Sequence, residues 1–125
     1  MKLLRILVLE DEPVLALLLA RVLEGMGHSV CAIEAGAEGA VQAATQEHPD
    51  LVLADMRLAN GCGVSAMEAI LRIWPVPHVF ISGDTEAVLA RRPGAVVLRK
   101  PVRVEELAWA MQRACDPPGG AVMAG

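Results

Sequence analysis

Four short apolar runs in this 125-residue chain each end abruptly in charged or hydroxylic residues, and this recurrence constrains the fold most. Ile6-Leu7-Val8-Leu9 runs into Glu10-Asp11-Glu12, and Leu51-Val52-Leu53-Ala54 runs into Asp55. Val79-Phe80-Ile81 runs into Ser82-Gly83, and Val96-Val97-Leu98 runs into Arg99-Lys100-Pro101. Unbroken apolar runs of this length suit strands covered on both faces, as in a parallel sheet. In an open parallel sheet, ligands bind beyond the carboxyl ends of the strands. Each run therefore delivers its polar residues to the end where chemistry occurs, and Asp55 is the carboxylate around which the others gather.

The intervening segments read as helices. Residues 3–9 are the first strand. Pro13 suits the first turn of a helix that ends at Gly25-Met26-Gly27. Val14, Leu15, Leu18, Leu19, Val22 and Met26 recur on it at helical spacing and form the expected inward stripe, with Leu17 off it. Residues 29–34 are a second strand, and 36–47 an alanine-rich helix closed by His48-Pro49. The strand at 51–54 is followed by a loop with the turn pair Asn60-Gly61. Ser65-Ala66-Met67-Glu68 reads as a capping box for a helix running to Trp74, with Pro75 and Pro77 as its stop. Residues 78–81 form a strand, 84–92 a short helix capped by Asp84 or Thr85, and 95–98 a last strand. Val104, Leu107, Ala108, Met111 and Cys115 form the expected buried stripe of the final helix. Trp109 lies opposite that stripe, where it would anchor a partner or a homodimer. Pro117-Pro118-Gly119-Gly120 closes a single domain of residues 1–116, leaving 117–125 as an expected flexible tail.

Five alternations of strand and helix imply right-handed crossovers, hence a doubly wound α/β fold with a five-stranded parallel sheet. Hydrophobic residues make up 54% of the chain and aromatics only 2%, so the core is aliphatic. The net charge of −4 argues against non-specific binding to nucleic acid or anionic membrane. No stretch approaches the ~18 apolar residues of a membrane helix. The acids at Glu10-Asp11-Glu12 break the first apolar run too early for a signal peptide. Cys31, Cys62 and Cys115 lack metal-type spacing and read as free thiols in a reducing cytoplasm. His28, His48 and His78 are scattered, and the first two sit beside Gly27 and Pro49 as loop residues do, so no histidine metal site is expected.

Glu10, Asp11 and Asp55 at adjacent strand ends would repel one another, because crowded carboxylates resist ionising together. A hard divalent cation relieves that repulsion. Mg²⁺ fits, since it binds through one or two carboxylates and keeps waters for phosphate oxygens. Lys100 supplies a further positive charge, and the Ser82 hydroxyl could bond a phosphoryl oxygen. Together these residues suit phosphoryl transfer to a carboxylate nucleophile.

At these residues the chain resembles the response-regulator receiver domains of two-component signalling. The motifs are Leu9-Glu10-Asp11-Glu12-Pro13, Asp55 with Gly63 eight residues later, Ile81-Ser82-Gly83, and Lys100-Pro101, and the resemblance spans residues 3 to about 116. It implies a flavodoxin-like (βα)5 fold with strand order 2-1-3-4-5. Asp55 would accept a phosphoryl group from a histidine kinase or histidine phosphotransfer protein. Asp11 would bind Mg²⁺ directly, with Glu10 binding directly or through water and the backbone carbonyl of Arg57 adding a further ligand. Lys100 would pair with the acyl phosphate and Ser82 would swing to bond it. A cis peptide would precede Pro101, and the Arg57 side chain would sit where the family tunes phosphate lifetime.

The chain also departs from the family pattern. Its acidic pair is Glu-Asp, Ala59 replaces a frequent proline, and Val97 stands where a switch aromatic is usual. The segment from Ser82 to Lys100 is short, so the fourth helix must be reduced. The last two features resemble the FAT GUY receiver subgroup, whose Phe-Ala-Thr-Gly strand end is partly matched by Phe80-Ile81-Ser82-Gly83, although Asp84 stands where that subgroup has an aromatic or hydrophobic residue.

Helix capping explains one of the acids at Glu10 and Asp11, but not both together with Asp55. A non-phosphorylated pseudo-receiver is the first alternative, and the set Asp11, Asp55, Ser82 and Lys100 argues against it. An aspartyl-nucleophile hydrolase would want an acid two residues after Asp55, where Arg57 stands. No glycine-rich loop follows the first strand, which disfavours nucleotide binding. Signalling without turnover is the expected activity. No DNA-binding segment follows residue 116, so the output would pass through protein contact.

Overall fold

The computed structural model describes residues 2–116. The expected tail at 117–125 lies outside the described residues. In chain order the elements are β1 (Arg5–Leu9), α1 (Pro13–Gly25), β2 (Ser29–Glu34), α2 (Ala37–Glu47), β3 (Leu51–Asp55), β4 (Arg57–Leu58), β5 (Gly61–Cys62), α3 (Gly63–Leu71), β6 (His78–Ser82), α4 (Thr85–Arg91), β7 (Val97–Arg99) and α5 (Val104–Cys115). The five main strands form one parallel sheet in the order β2-β1-β3-β6-β7. This is the doubly wound flavodoxin-like order expected from the sequence. The loop containing Asn60-Gly61 is a tight antiparallel hairpin, β4 against β5, with Gly61 at φ +131.

Side chains alternate along each strand, so the sheet separates two apolar layers. Leu7, Leu9, Val52, Ala54 and Phe80 pack against α2 and α3, while Ile6, Val8, Leu51, Leu53 and Val79 pack against α1 and α5. Every residue of β3 is buried, including Asp55 at its end. Burying each such Leu, Ile or Val contributes about 1.5–3 kcal/mol. This central strand is therefore a rigid mount for the residue it presents.

Both outer helical stripes differ from the sequence expectation. On α1 the buried residues are Ala16, Ala20 and Leu23; Leu19, Val22 and Met26 pack against the core and Leu17 (52%) is exposed, as expected, but Val14 (67%), Leu15 (37%) and Leu18 (55%) are exposed as well. A helix apolar on all sides gives periodicity no face to choose. The alanines win because they let the helix approach the sheet closely. On α5 the buried residues are Leu107, Ala110 and Met111; Val104 and Cys115 face outward, and Trp109 is exposed as expected.

The capping box at Ser65 is also corrected. α3 starts at Gly63, its cap is the Cys62 thiol accepting from the Ser65 N–H at 3.4 Å, and it ends at Leu71 rather than Trp74. Glu68 is drawn away to Arg91 at 3.1 Å. α4 is short, as expected, and Asp84 caps it by accepting from Ala87 N–H at 3.1 Å. His28 lies in the loop between α1 and β2, as its place beside Gly27 suggested, but it does not face solvent. It is buried, and its Nδ1 accepts the Leu4 N–H at 3.0 Å, tying β1 to the start of β2. No helix among the described residues is long and apolar enough to cross a membrane.

Candidate functional site

Three of the sequence-identified residues meet at the carboxyl ends of β1, β3 and β7. Asp55 is 4% exposed, and both of its carboxylate oxygens are held. Oδ1 accepts the Arg57 N–H at 3.0 Å, and Oδ2 forms a short ion pair with the Lys100 ammonium. Arg57 donates through its backbone because the chain turns immediately into the β4–β5 hairpin. Lys100 arrives because β7 pairs with β6, its own N–H donating to the Ser82 carbonyl at 3.0 Å. The Lys100–Pro101 peptide is cis, as the resemblance implied.

Gly63, eight residues after Asp55, explains part of the motif spacing. A Cβ there would sit 2.2 Å from the Asp55 carbonyl oxygen and 3.0 Å from its carbon. The Gly63 N–H donates to Met56 O at 2.8 Å, so α3 begins directly against the turn that carries Asp55. Only glycine allows that approach.

Glu10 follows β1 and is 4% exposed. Its Oε2 accepts the Glu12 N–H at 3.1 Å. Burial, and then contact with the Asp55 carboxyl, raise its pKa to about 7; Glu12 N–H and Lys100 only partly oppose this. The two buried carboxyl groups thus lack positive charge even with Lys100 in place. Their donors are all oxygens, so the missing charge suits a hard cation such as Mg²⁺. Asp11 is exposed on the same turn. Among the described residues no three His, Cys, Asp or Glu side chains converge into a ready-made metal cage. The expected set Glu10, Asp11 and Asp55 is therefore not gathered into one cluster, Asp11 facing outward while Glu10 and Asp55 are buried.

Ser82 ends β6 and is 5% exposed, but its side chain turns to the following loop. Its Oγ accepts the Asp84 N–H at 2.9 Å and donates to the Asp84 carbonyl at 3.1 Å. Val97 is half-buried on β7 and forms part of the layer with Phe80.

Sequence reasoning missed an apolar hollow beside the site. It has a volume of about 510 Å³ and is lined by Glu10, Leu15, Leu18, Leu19, Val22, Ile81, Lys100, Pro101 and Val102. The signal was the surplus of leucines on α1, which had been assigned inward.

Comparison with known proteins agrees with this geometry. The response regulator receiver domain model matches residues 6–112. PhyR, the phyllosphere-induced regulator of Methylorubrum extorquens, is 37% identical over 100 residues, covering 77% of this chain and 38% of that protein. PilH of Pseudomonas aeruginosa is 34% identical over 110 residues, covering 82% of this chain and 90% of its own. Against PhyR and the mycobacterial regulator MtrA, the chain spans less than half the relative's length, 38% and 46%. The receiver domain of Erythrobacter litoralis PhyR superposes with a TM-score of 0.83 at 30% identity, covering 91% of each chain. Brucella abortus PhyR gives 0.84 at 27% identity, covering 98% of this chain and 52% of that one. With its family match, its sheet order and the strand ends that meet around Asp55, the chain belongs to the response regulator receiver domain family.

Proposed function

We propose that Asp55 is the phosphoacceptor of a signalling switch in a two-component pathway. The observation that carries this reading is the held carboxylate: Arg57 N–H on one oxygen, Lys100 on the other, and Glu10 against it. An Asp55 oxygen attacks the phosphorus of a donor phosphohistidine. The new O–P bond forms as the N–P bond breaks, and the electron pair stays on the donor imidazole. Lys100 offsets charge on the phosphoryl oxygens, and Ser82 turns from Asp84 to donate to one of them. Positioning and fixed charge are what such a transfer needs from the protein. Glu10, Asp11, Asp55 and the Arg57 carbonyl would hold Mg²⁺. When bound, that ion neutralises the crowded carboxylates and draws charge from the phosphoryl group. Residues 1–116 form the receiver unit. It is a signalling module rather than a turnover enzyme.

A histidine kinase or histidine phosphotransfer protein would dock on the exposed crown of α1. Val14, Leu15, Leu17 and Leu18 are exposed there, and the neighbouring hollow opens onto Glu10 and Lys100. An amphipathic donor helix laid in that hollow would bring its phosphohistidine to Asp55.

The test is incubation with Mg²⁺ and a small phosphodonor, followed by counting acid-stable, base-labile phosphate. The expected result is one phosphate per chain, absent in Asp55→Asn. No incorporation, or equal incorporation in that variant, removes the reading.

A further inference from the structure

β7 ends at Arg99 and Lys100 follows it, and the two consecutive basic side chains leave the chain on opposite sides. Lys100 reaches Asp55. Arg99 reaches the loop between β6 and α4, its Nη1 donating to Gly83 O at 3.2 Å and its Nη2 to Thr85 Oγ1 at 2.8 Å. The same loop is held from the site side by Ser82, whose Oγ is bonded to both backbone groups of Asp84. Asp84 in turn caps α4. The far end of α4 is tied down independently, because Arg91 donates to Ser65 Oγ at 3.2 Å and to Glu68 at 3.1 Å. Val88 packs α4 onto the core, its carboxyl end is tied by Arg91, and among the described residues the side-chain hydrogen bonds that reach the loop before its amino end from outside that loop and helix come from Ser82 and Arg99.

Ser82 cannot serve two sites at once. Its hydroxyl carries one proton, which now goes to the Asp84 carbonyl. Turning it toward an anion on Asp55 releases that carbonyl and leaves the Asp84 N–H without its acceptor. Val97 offers neither a hydrogen bond nor an aromatic ring to follow the movement. The geometry points to Arg99 as the positioning residue that couples Ser82 to α4: its two bonds hold the loop in the arrangement that keeps Ser82 turned away. This inference rests on the proposed phosphorylation of Asp55.

Its consequence has an unusual sign. By linkage, removing a restraint on the resting arrangement makes the alternative arrangement easier to reach, and a ligand of that alternative binds more tightly. Simple electrostatics predicts the opposite, since deleting a cation next to Lys100 should weaken an anion.

The experiment measures binding of beryllium fluoride with Mg²⁺, a phosphoryl mimic, and amide hydrogen exchange across residues 83–91. It uses the whole chain and the variants Arg99→Ala, Arg99→Lys and Thr85→Val. Arg99→Ala is expected to bind the mimic about fivefold or more tightly, within the usual span of coupling between sites. Its mimic-free exchange at 83–91 should already match the mimic-bound wild type. Thr85→Val removes one of the two bonds and leaves the charge, so it should move affinity the same way by less. Arg99→Lys keeps the charge but not the two-pronged donor, and should fall between wild type and alanine. Unchanged or weakened binding in both Arg99→Ala and Thr85→Val, with the wild type binding normally, overturns the coupling alone. A wild type that binds no mimic overturns it together with the proposed function.

Discussion

Glu10 offers the sharpest test of the proposed site, because its carboxyl is buried against that of Asp55 and either a proton or a cation would relieve the repulsion. Burial, then contact with the Asp55 carboxyl, lifts it from 4.5 to about 7. A raised carboxyl means that the folded chain holds this proton more tightly than the unfolded chain. Unfolding then releases it between those two values. The contribution of Glu10 to stability is therefore intact below about 4.5 and falls away as pH rises to about 7. The loss is up to about 3 kcal/mol. For a domain of this size that is roughly 10 °C in Tm. His28 and His78 act in the opposite sense, since burial lowers both, so their stability is lost as pH falls below the ordinary histidine range. A single melting curve mixes these effects. The difference between wild type and Glu10→Gln isolates the glutamate, because both proteins keep the histidines. Thermal unfolding from pH 5 to 8 should show Glu10→Gln gaining on the wild type as pH rises, and exceeding it above pH 7. Millimolar Mg²⁺ at pH 8 should restore much of the wild-type loss and stabilise the variant less. Parallel curves for the two proteins, or equal stabilisation by Mg²⁺, would refute the reasoning.

Lys100→Ala leaves two buried carboxyl groups without their resident cation; the initial rate of phosphorylation by a small donor should fall by about 10²-fold. Gly63→Ala places a Cβ 2.2 Å from the Asp55 carbonyl oxygen, a backbone atom that no rotamer can avoid. Its cost is about 1–3 kcal/mol, read as a lower denaturation midpoint with slower phosphorylation, because Asp55 itself must shift. Burial raises the Cys62 thiol, but hydrogen bonds from Ser65 and Arg91 outweigh it and bring its pKa below the usual thiol value, whereas burial raises Cys31 and Cys115. Iodoacetamide at neutral pH should therefore label Cys62 before the more exposed Cys115, and Arg91→Ala should slow it. His28→Leu removes the acceptor of the buried Leu4 N–H and should cost about 1–3 kcal/mol by chemical denaturation.

The strands were legible because they rest on local signals, whereas their order in the sheet was implied by the resemblance to receiver domains. Short apolar runs such as Leu51–Ala54, bounded by polar residues and turn signals, suit strands buried on both faces. The gathering of Glu10, Asp55 and Lys100 was legible for the same reason: a residue at the carboxyl end of a parallel strand is placed by topology rather than by its neighbours. The inward face of α1 was only partly legible, because near-uniform apolarity carries little period, and the spacing between helix and sheet selected Ala16 and Ala20; on α5, Leu107 and Met111 were legible as buried, and only Val104 and Cys115 turn outward instead. His28 beside Gly27 was legible as a loop residue, but its burial was not, because only the folded chain brings the Leu4 N–H to its ring. Which way each polar side chain turns was decided by the folded structure alone. Glu10 is buried while its neighbour Asp11 faces outward, Ser82 bonds Asp84 rather than reaching toward Asp55, and Arg99 braces a loop sixteen residues before it. These choices depend on hydrogen-bond partners far apart in the chain, which no local pattern of residues encodes. Residue order determined which strand ends would gather around Asp55; tertiary contacts decided which groups hold that carboxylate.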